Sequence, residues 1–267
     1  MSQHITAAAI QTHPVFGEPE RNREAALDAL QALPRSCDLA VLPELFATGY
    51  QFRTREEAWA LAETVPDGPT CDWLGEAAAR LDLHLVAGLC ERAGDQLFNS
   101  CVLMRPDGSW DLYRKIHLFW NEKTIFMPGD MGFKVCDGCG TRLGLMICFD
   151  WIYPEAARTL ALAGATVLCH PSNLVLPHCP HSMPVRCIEN RVFAITANRV
   201  GVEHRTAGPL TFIGRSQIVD PDGERLAVCD EENAGTALAT LDLSQTHKQV
   251  TPRNDLWRDR RPQMYRL

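Results

Sequence analysis

Two Pro-Asp-Gly turns constrain this chain more than any other feature: Pro106-Asp107-Gly108 and Pro221-Asp222-Gly223. Each is flanked by apolar runs that read as strands, Phe98–Arg105 with Ser109–Lys115 and Ser216–Asp220 with Glu224–Cys229. Proline, aspartate and glycine in that order are tight-turn chemistry, so both segments are expected to be hairpins. A doubly wound sheet of alternating strands and helices needs a helix at these places. The fold is therefore expected to be α/β with a mixed sheet system rather than a simple Rossmann fold.

The remaining pattern fits that class. Strands are expected at Ile5–Gln11, Asp38–Leu42, Leu83–Leu89, Gly132–Val135, Arg142–Cys148, Ala165–Cys169, Val192–Ala197 and Thr236–Leu243. Helices are expected at Glu18–Leu33, Thr70–Leu81, Tyr153–Ala163 and Met183–Arg191. Apolar Ala25, Ala26, Leu30 and Leu33 mark one face of the first. Pro154 suits the first turn of the third. No repeat, low-complexity tract or linker divides the chain, so a single domain over 1–267 is expected, with a surface or dimer-exchange tail at 251–267 that is rich in Arg and Pro.

Charge and cysteine content limit the function. Lys plus Arg is 26 against 33 for Asp plus Glu, a formal charge of −7. Such a surface repels phosphate backbones and anionic lipid, which disfavours nucleic acid and membrane as partners. No apolar run approaches a membrane span, and the first residues carry no secretory pattern. Eleven scattered cysteines, an odd number, suit a reducing cytoplasm where they act as small hydrophobes. No glycine-rich phosphate loop occurs, so no nucleotide cofactor is expected.

Three polar residues fall at the ends of expected strands, where a sheet presents groups to a cleft: Glu44, Lys115 and Cys148. They form a sufficient set for acyl transfer. A thiol is the nucleophile once deprotonated, a carboxylate in a dry pocket takes its proton, and an ammonium stabilises the oxyanion.

Their surroundings are Leu42-Pro43-Glu44 with Gly49-Tyr50, then Tyr113-Arg114-Lys115, then Cys148 followed by Pro154-Glu155. Glu122 with Phe126-Met127-Pro128-Gly129-Asp130, His170-Pro171-Ser172-Asn173 and Glu189-Asn190-Arg191 complete the series. In this order and spacing they resemble the nitrilase superfamily of carbon–nitrogen hydrolases over nearly the whole chain. The resemblance implies a four-layer α-β-β-α sandwich of two mixed sheets, assembled as a homodimer or larger homo-oligomer. It implies Glu44 as general base, Lys115 as electrostatic stabiliser, Cys148 as nucleophile and Glu122 as a second carboxylate that orients Lys115 or the substrate nitrogen.

Hydrolysis of a small linear amide through a thioester, with no metal or organic cofactor, is the reaction so implied. Phe149-Asp150-Trp151 after the cysteine resembles the amidase and carbamoylputrescine amidase-like branch, yet also occurs in aliphatic nitrilases. Carbamoyl amines and nitriles are thus the alternative substrates. Tyr50, Phe149, Trp151 and Asn173 are the candidates to line the substrate pocket, Tyr50 and Trp151 having core packing as the equal alternative.

Two features admit a different class, a metal or redox protein. Cys136-Asp137-Gly138-Cys139 is a lone C-x-x-C, better read as a turn between strands. His170, His178, Cys179 and His181 are dense enough for zinc, but the intervening prolines point to an irregular loop at the pocket rim.

Overall fold

The computed structural model describes residues 4–265. In chain order its strands begin with β1 (His4–Gln11), β2 (Leu39–Val41), β3 (His84–Ala93), β4 (Gln96–Met104), β5 (Trp110–Arg114), β6 (Lys134–Gly138), β7 (Thr141–Leu145) and β8 (Val167–Pro171). They continue with β9 (Phe193–Ala197), β10 (Val200–Glu203), β11 (Leu210–Ile213), β12 (Gln217–Val219), β13 (Arg225–Val228), β14 (Gly235–Asp242), β15 (Gln249–Thr251) and β16 (Asn254–Asp255). The helices are α1 (Pro19–Gln31), α2 (Arg55–Leu61), α3 (Pro69–Leu81), α4 (Glu122–Ile125), α5 (Pro154–Leu162) and α6 (Cys179–Asn190).

Two six-stranded mixed sheets stand face to face, ordered β14-β1-β2-β3-β4-β5 and β13-β12-β9-β8-β7-β6. Strands β1, β2 and β3 are parallel, as are β7, β8 and β9. Period-two alternation decides which side each residue faces. Ile5, Ala7, Ala9, Leu39, Val41, Val86, Cys101 and Leu103 fill the layer between the sheets. Their neighbours Ala8, Ile10, Ala40, Leu85, Ala87 and Val102 turn outward beneath α1 and α3, meeting Ala26, Leu30, Leu74 and Ala78. Helices α5 and α6 cover the second sheet in the same way. The α-β-β-α sandwich expected from the resemblance is the observed architecture.

Both Pro-Asp-Gly segments are turns, between β4 and β5 and between β12 and β13. Four expectations need correction. The strand expected to end at Cys148 stops at Leu145, and Cys148–Ile152 is a 3-10 turn. The strand expected at Gly132–Val135 starts at Lys134 and runs through Cys136-Asp137-Gly138. The reversal of that hairpin lies at Cys139-Gly140, both with positive φ, two residues beyond the expected Asp-Gly centre. Finally, α6 opens at Cys179, so His181 lies on a helix rather than in an irregular loop. Two prolines, Pro180 at its start and Pro184 inside, hid the helix.

The 251–267 tail lies on the surface as far as Tyr265. Trp257 packs against the main core, beneath the Arg158 guanidinium and the Lys248 ammonium. Among the described residues no helix is long and apolar enough to cross a membrane.

Candidate active site

The chain leaves both sheets at one end of the sandwich, and four polar side chains gather there. Glu44 follows β2, Lys115 follows β5, Cys148 follows β7 and Asn173 follows β8. Parallel strands share a direction, so residues far apart in sequence leave the sheets on the same side.

Glycines let the backbones approach closely. A Cβ on Gly88 of β3 would stand 2.5 Å from the Glu44 Cα. A Cβ on Gly129 would stand 2.1 Å from the Arg114 carbonyl oxygen. The Gly129 N–H donates to the Lys115 carbonyl at 2.8 Å, and Asp130 takes the Arg114 guanidinium at 3.0 Å. The Met127–Asp130 segment therefore clamps the backbone that carries Lys115.

Lys115 is wholly buried and bridges two carboxylates. Its Nζ donates to Glu44 Oε1 at 2.6 Å and to Glu122 Oε1 at 2.8 Å. Burial alone would drive the ammonium toward neutrality, but the Glu122 and Glu44 charges outweigh it and hold the lysine above its ordinary value. Burial pushes the Glu44 carboxyl up, against the pull of Lys115. Glu122 is tied down from three sides: Lys115, the Tyr50 hydroxyl at 2.6 Å and the Phe119 N–H at 3.1 Å.

Cys148 sits at the start of its turn with φ 40, a left-handed conformation that a side chain adopts only under constraint. Asp150 supplies that constraint. Its carboxylate accepts from the Ile147 N–H and the Tyr113 hydroxyl, both at 2.8 Å, and from the His117 ring at 2.7 Å. Behind the cysteine, His170 Nε2–H donates to the Cys148 carbonyl at 2.9 Å while Thr196 donates to Nδ1 at 3.0 Å. Burial lowers the His170 pKa to about 4, so its ring is neutral. The Cys148 thiol is pushed up by burial and by the Glu44 charge, with Lys115 and the Asn173 N–H opposing. It rests protonated and needs a base.

Cys148 borders a shallow cleft lined by Phe119, Phe149, Trp151 and Asn173–Leu176. Of the residues expected to line the pocket, Phe149, Trp151 and Asn173 are brought to this cleft. Tyr50 lies behind Glu122, on a neighbouring cavity. Around Glu44 the buried acceptors are under-supplied. Asn99 Nδ2 donates to Glu44 Oε1 at 2.6 Å, and Asn173 Nδ2 donates to the Glu44 carbonyl at 2.8 Å. Glu44 Oε2, Asn99 Oδ1 and Asn173 Oδ1 have no protein partner.

Asn99, Asp150 and His170 were not assigned these roles from sequence. Asn99 sits inside an apolar strand with no local signal. His170 is buried and serves the backbone of Cys148, whereas His178 and His181 are exposed. No group of His, Cys, Asp or Glu among the described residues could hold a metal ion. Glu189-Asn190-Arg191 closes α6, Arg191 taking the left-handed cap and donating to the Pro221 carbonyl at 2.9 Å.

Similarity to known proteins shows the family and the fold. The carbon-nitrogen hydrolase family matches residues 6–249. A nitrilase from Pyrococcus abyssi is 44% identical over 98% of this chain and 99% of its own. An N-carbamoylputrescine amidase from Solanum lycopersicum is 31% identical over 87% of this chain and 84% of its own. The crystal structure of a carbon-nitrogen hydrolase from Helicobacter pylori G27 superposes with a TM-score of 0.90, at 31% identity, covering 98% of this chain and 97% of the other.

Proposed function

The chain belongs to the carbon-nitrogen hydrolases, and from that premise we propose that it hydrolyses a small primary amide through a thioester on Cys148. One observation carries the choice of amide. Three buried acceptors, Glu44 Oε2, Asn99 Oδ1 and Asn173 Oδ1, surround the base without donors. A buried acceptor left unmade costs about 1–3 kcal/mol. A primary amide brings two N–H donors into such a site, and a nitrile brings none before it is attacked.

The charges of Glu44 and Lys115 both act on the Cys148 thiol, which supports the following steps. Glu44 Oε2 takes the Cys148 proton as sulfur attacks the amide carbon. The Lys115 ammonium and the N–H after the nucleophile stabilise the oxyanion. Glu44 returns the proton to nitrogen, the C–N bond breaks and ammonia leaves. Water then gives a proton to Glu44 and attacks the thioester, the C–S bond breaks and the acid departs with the thiol restored. Glu122 and Tyr50 keep Lys115 charged and fixed throughout.

A second reading, nitrile hydrolysis, is favoured by the 44% identity to a nitrilase. Ammonia release from matched amides and nitriles separates the two. Amide turnover faster than nitrile turnover, lost in Cys148→Ala, is expected, and the reverse order overturns the amide reading.

Eleven free cysteines, nine of them buried, suit a reducing cytoplasm, which is the proposed location. Exposed apolar Leu162, Val185 and Ile188 on α5 and α6 support a homodimer as the working form.

A further inference from the structure

The walls around the sulfur hold no charge that a substrate could use. Phe119, Phe149, Trp151, Leu174, Val175 and Leu176 form a collar around Cys148, with neutral Asn173 as its one polar member. The charges beneath it are committed to one another, apart from Glu44 Oε2, which is left for the reacting amide. Lys115 donates to both carboxylates, Glu44 Oε1 holds Lys115 and Asn99, and Glu122 has both oxygens occupied. The neighbouring cavity is lined by Phe52, Ile125, Phe126 and Leu210 with neutral Gln51, Asn121 and Thr206, and the charged residue of its lining, Glu122, is already held by Lys115.

We infer that this collar selects substrates with an uncharged, apolar body, and that Val175 and Leu176 set that preference. The inference rests on the hydrolase reading above and narrows it. A substrate with an ammonium or an amino-acid end carries its charge past aromatic and aliphatic side chains with no partner waiting. Stripping water from an unpaired charge is strongly unfavourable. Each methylene of a neutral chain instead leaves water for carbon, a gain of about three- to fourfold in transition-state affinity. This separates the chain from its relative that acts on N-carbamoylputrescine, whose free amine needs an anionic partner.

The test is kcat/KM for acetamide, butyramide and hexanamide beside N-carbamoylputrescine and citrulline. The neutral series should rise about three- to fourfold per methylene, and hexanamide should exceed both charged compounds by on the order of 100-fold. Leu176 is 39% exposed, so Leu176→Asp should fold. It should raise turnover of N-carbamoylputrescine while lowering that of hexanamide. A flat neutral series, or a charged compound hydrolysed faster than every neutral amide, overturns the inference and leaves the hydrolase reading standing. Alkylation of Cys148 by iodoacetamide and iodoacetate, each scaled to free cysteine, reads the collar without turnover. A clear preference for the neutral reagent is expected, and equal scaled rates contradict the inference. Absence of any hydrolysis alongside that preference would instead overturn the proposed reaction.

Discussion

Lys115 is charged with no solvent around it, and its two carboxylates make that tolerable. Replacing it with methionine would leave Glu44 and Glu122 facing each other in a dry pocket. Breaking a buried ion pair from one side costs roughly 3–5 kcal/mol. Lys115→Met should therefore lose stability of that order in urea titration, together with measurable turnover. Full stability in the variant would contradict the bridge. The acid limb of activity reports on Glu44. A base must be ionised, burial raises its pKa, and kcat/KM should fall as pH drops through a value above about 4.3, that of a free glutamate. A limb at or below that value would remove Glu44 as the base. These residues were legible in the sequence because each stands in a motif whose neighbours serve it, as Gly129 and Asp130 serve Lys115. Asn99 was not legible, since an asparagine within a strand shows its role only when the strand is set beside Glu44.

The 3-10 turn at Cys148–Ile152 is the element on which the proposed nucleophile depends. Its sequence continues the apolar run of β7, which is why alternation alone extends the strand to Cys148. What ends the strand is Asp150 reaching back to the Ile147 N–H, a side-chain contact that hydrophobic patterning does not register. Asp150→Asn retains the shape but loses acceptor capacity for its donors, the Ile147 and His117 N–H groups, the Tyr113 hydroxyl and the His117 ring. It should lower kcat more than it raises KM, with a stability loss of about 1–3 kcal/mol. An unchanged kcat would contradict this role. On the neighbouring strand, His170 is held below its unfolded pKa. As pH falls from about 6.5, the unfolded chain takes up the proton first, so stability present at neutral pH is lost on the way to the folded value of about 4. The loss should reach roughly 3 kcal/mol. His170→Gln should flatten that interval of the stability–pH curve, and an unaltered slope would show that His170 titrates freely. Turn chemistry was similarly close but misplaced in the β6–β7 hairpin. Asp-Gly is a good turn pair, yet the register puts Gly138 opposite Thr141 and leaves Cys139-Gly140 to turn.

At the scale of the whole molecule, two sheets meet so that strands remote in sequence end together. The mixed α/β class was readable from the two Pro-Asp-Gly hairpins. The pairing of the sheets came from the resemblance, because face-to-face packing leaves no local mark in sequence. The proposed homodimer is tested at this scale. Val185 and Ile188 lie three residues apart on α6 and are about half exposed. Charges at both positions should convert a sedimenting dimer to monomer, and an unchanged oligomer would remove α6 from the interface. The proposed reaction turns on a covalent bond between substrate and sulfur. Rapid acid quench during hexanamide turnover, followed by peptide mass analysis, should find the hexanoyl group on Cys148 and on no other cysteine. Turnover without an acylated Cys148, or turnover that survives Cys148→Ala, would contradict it.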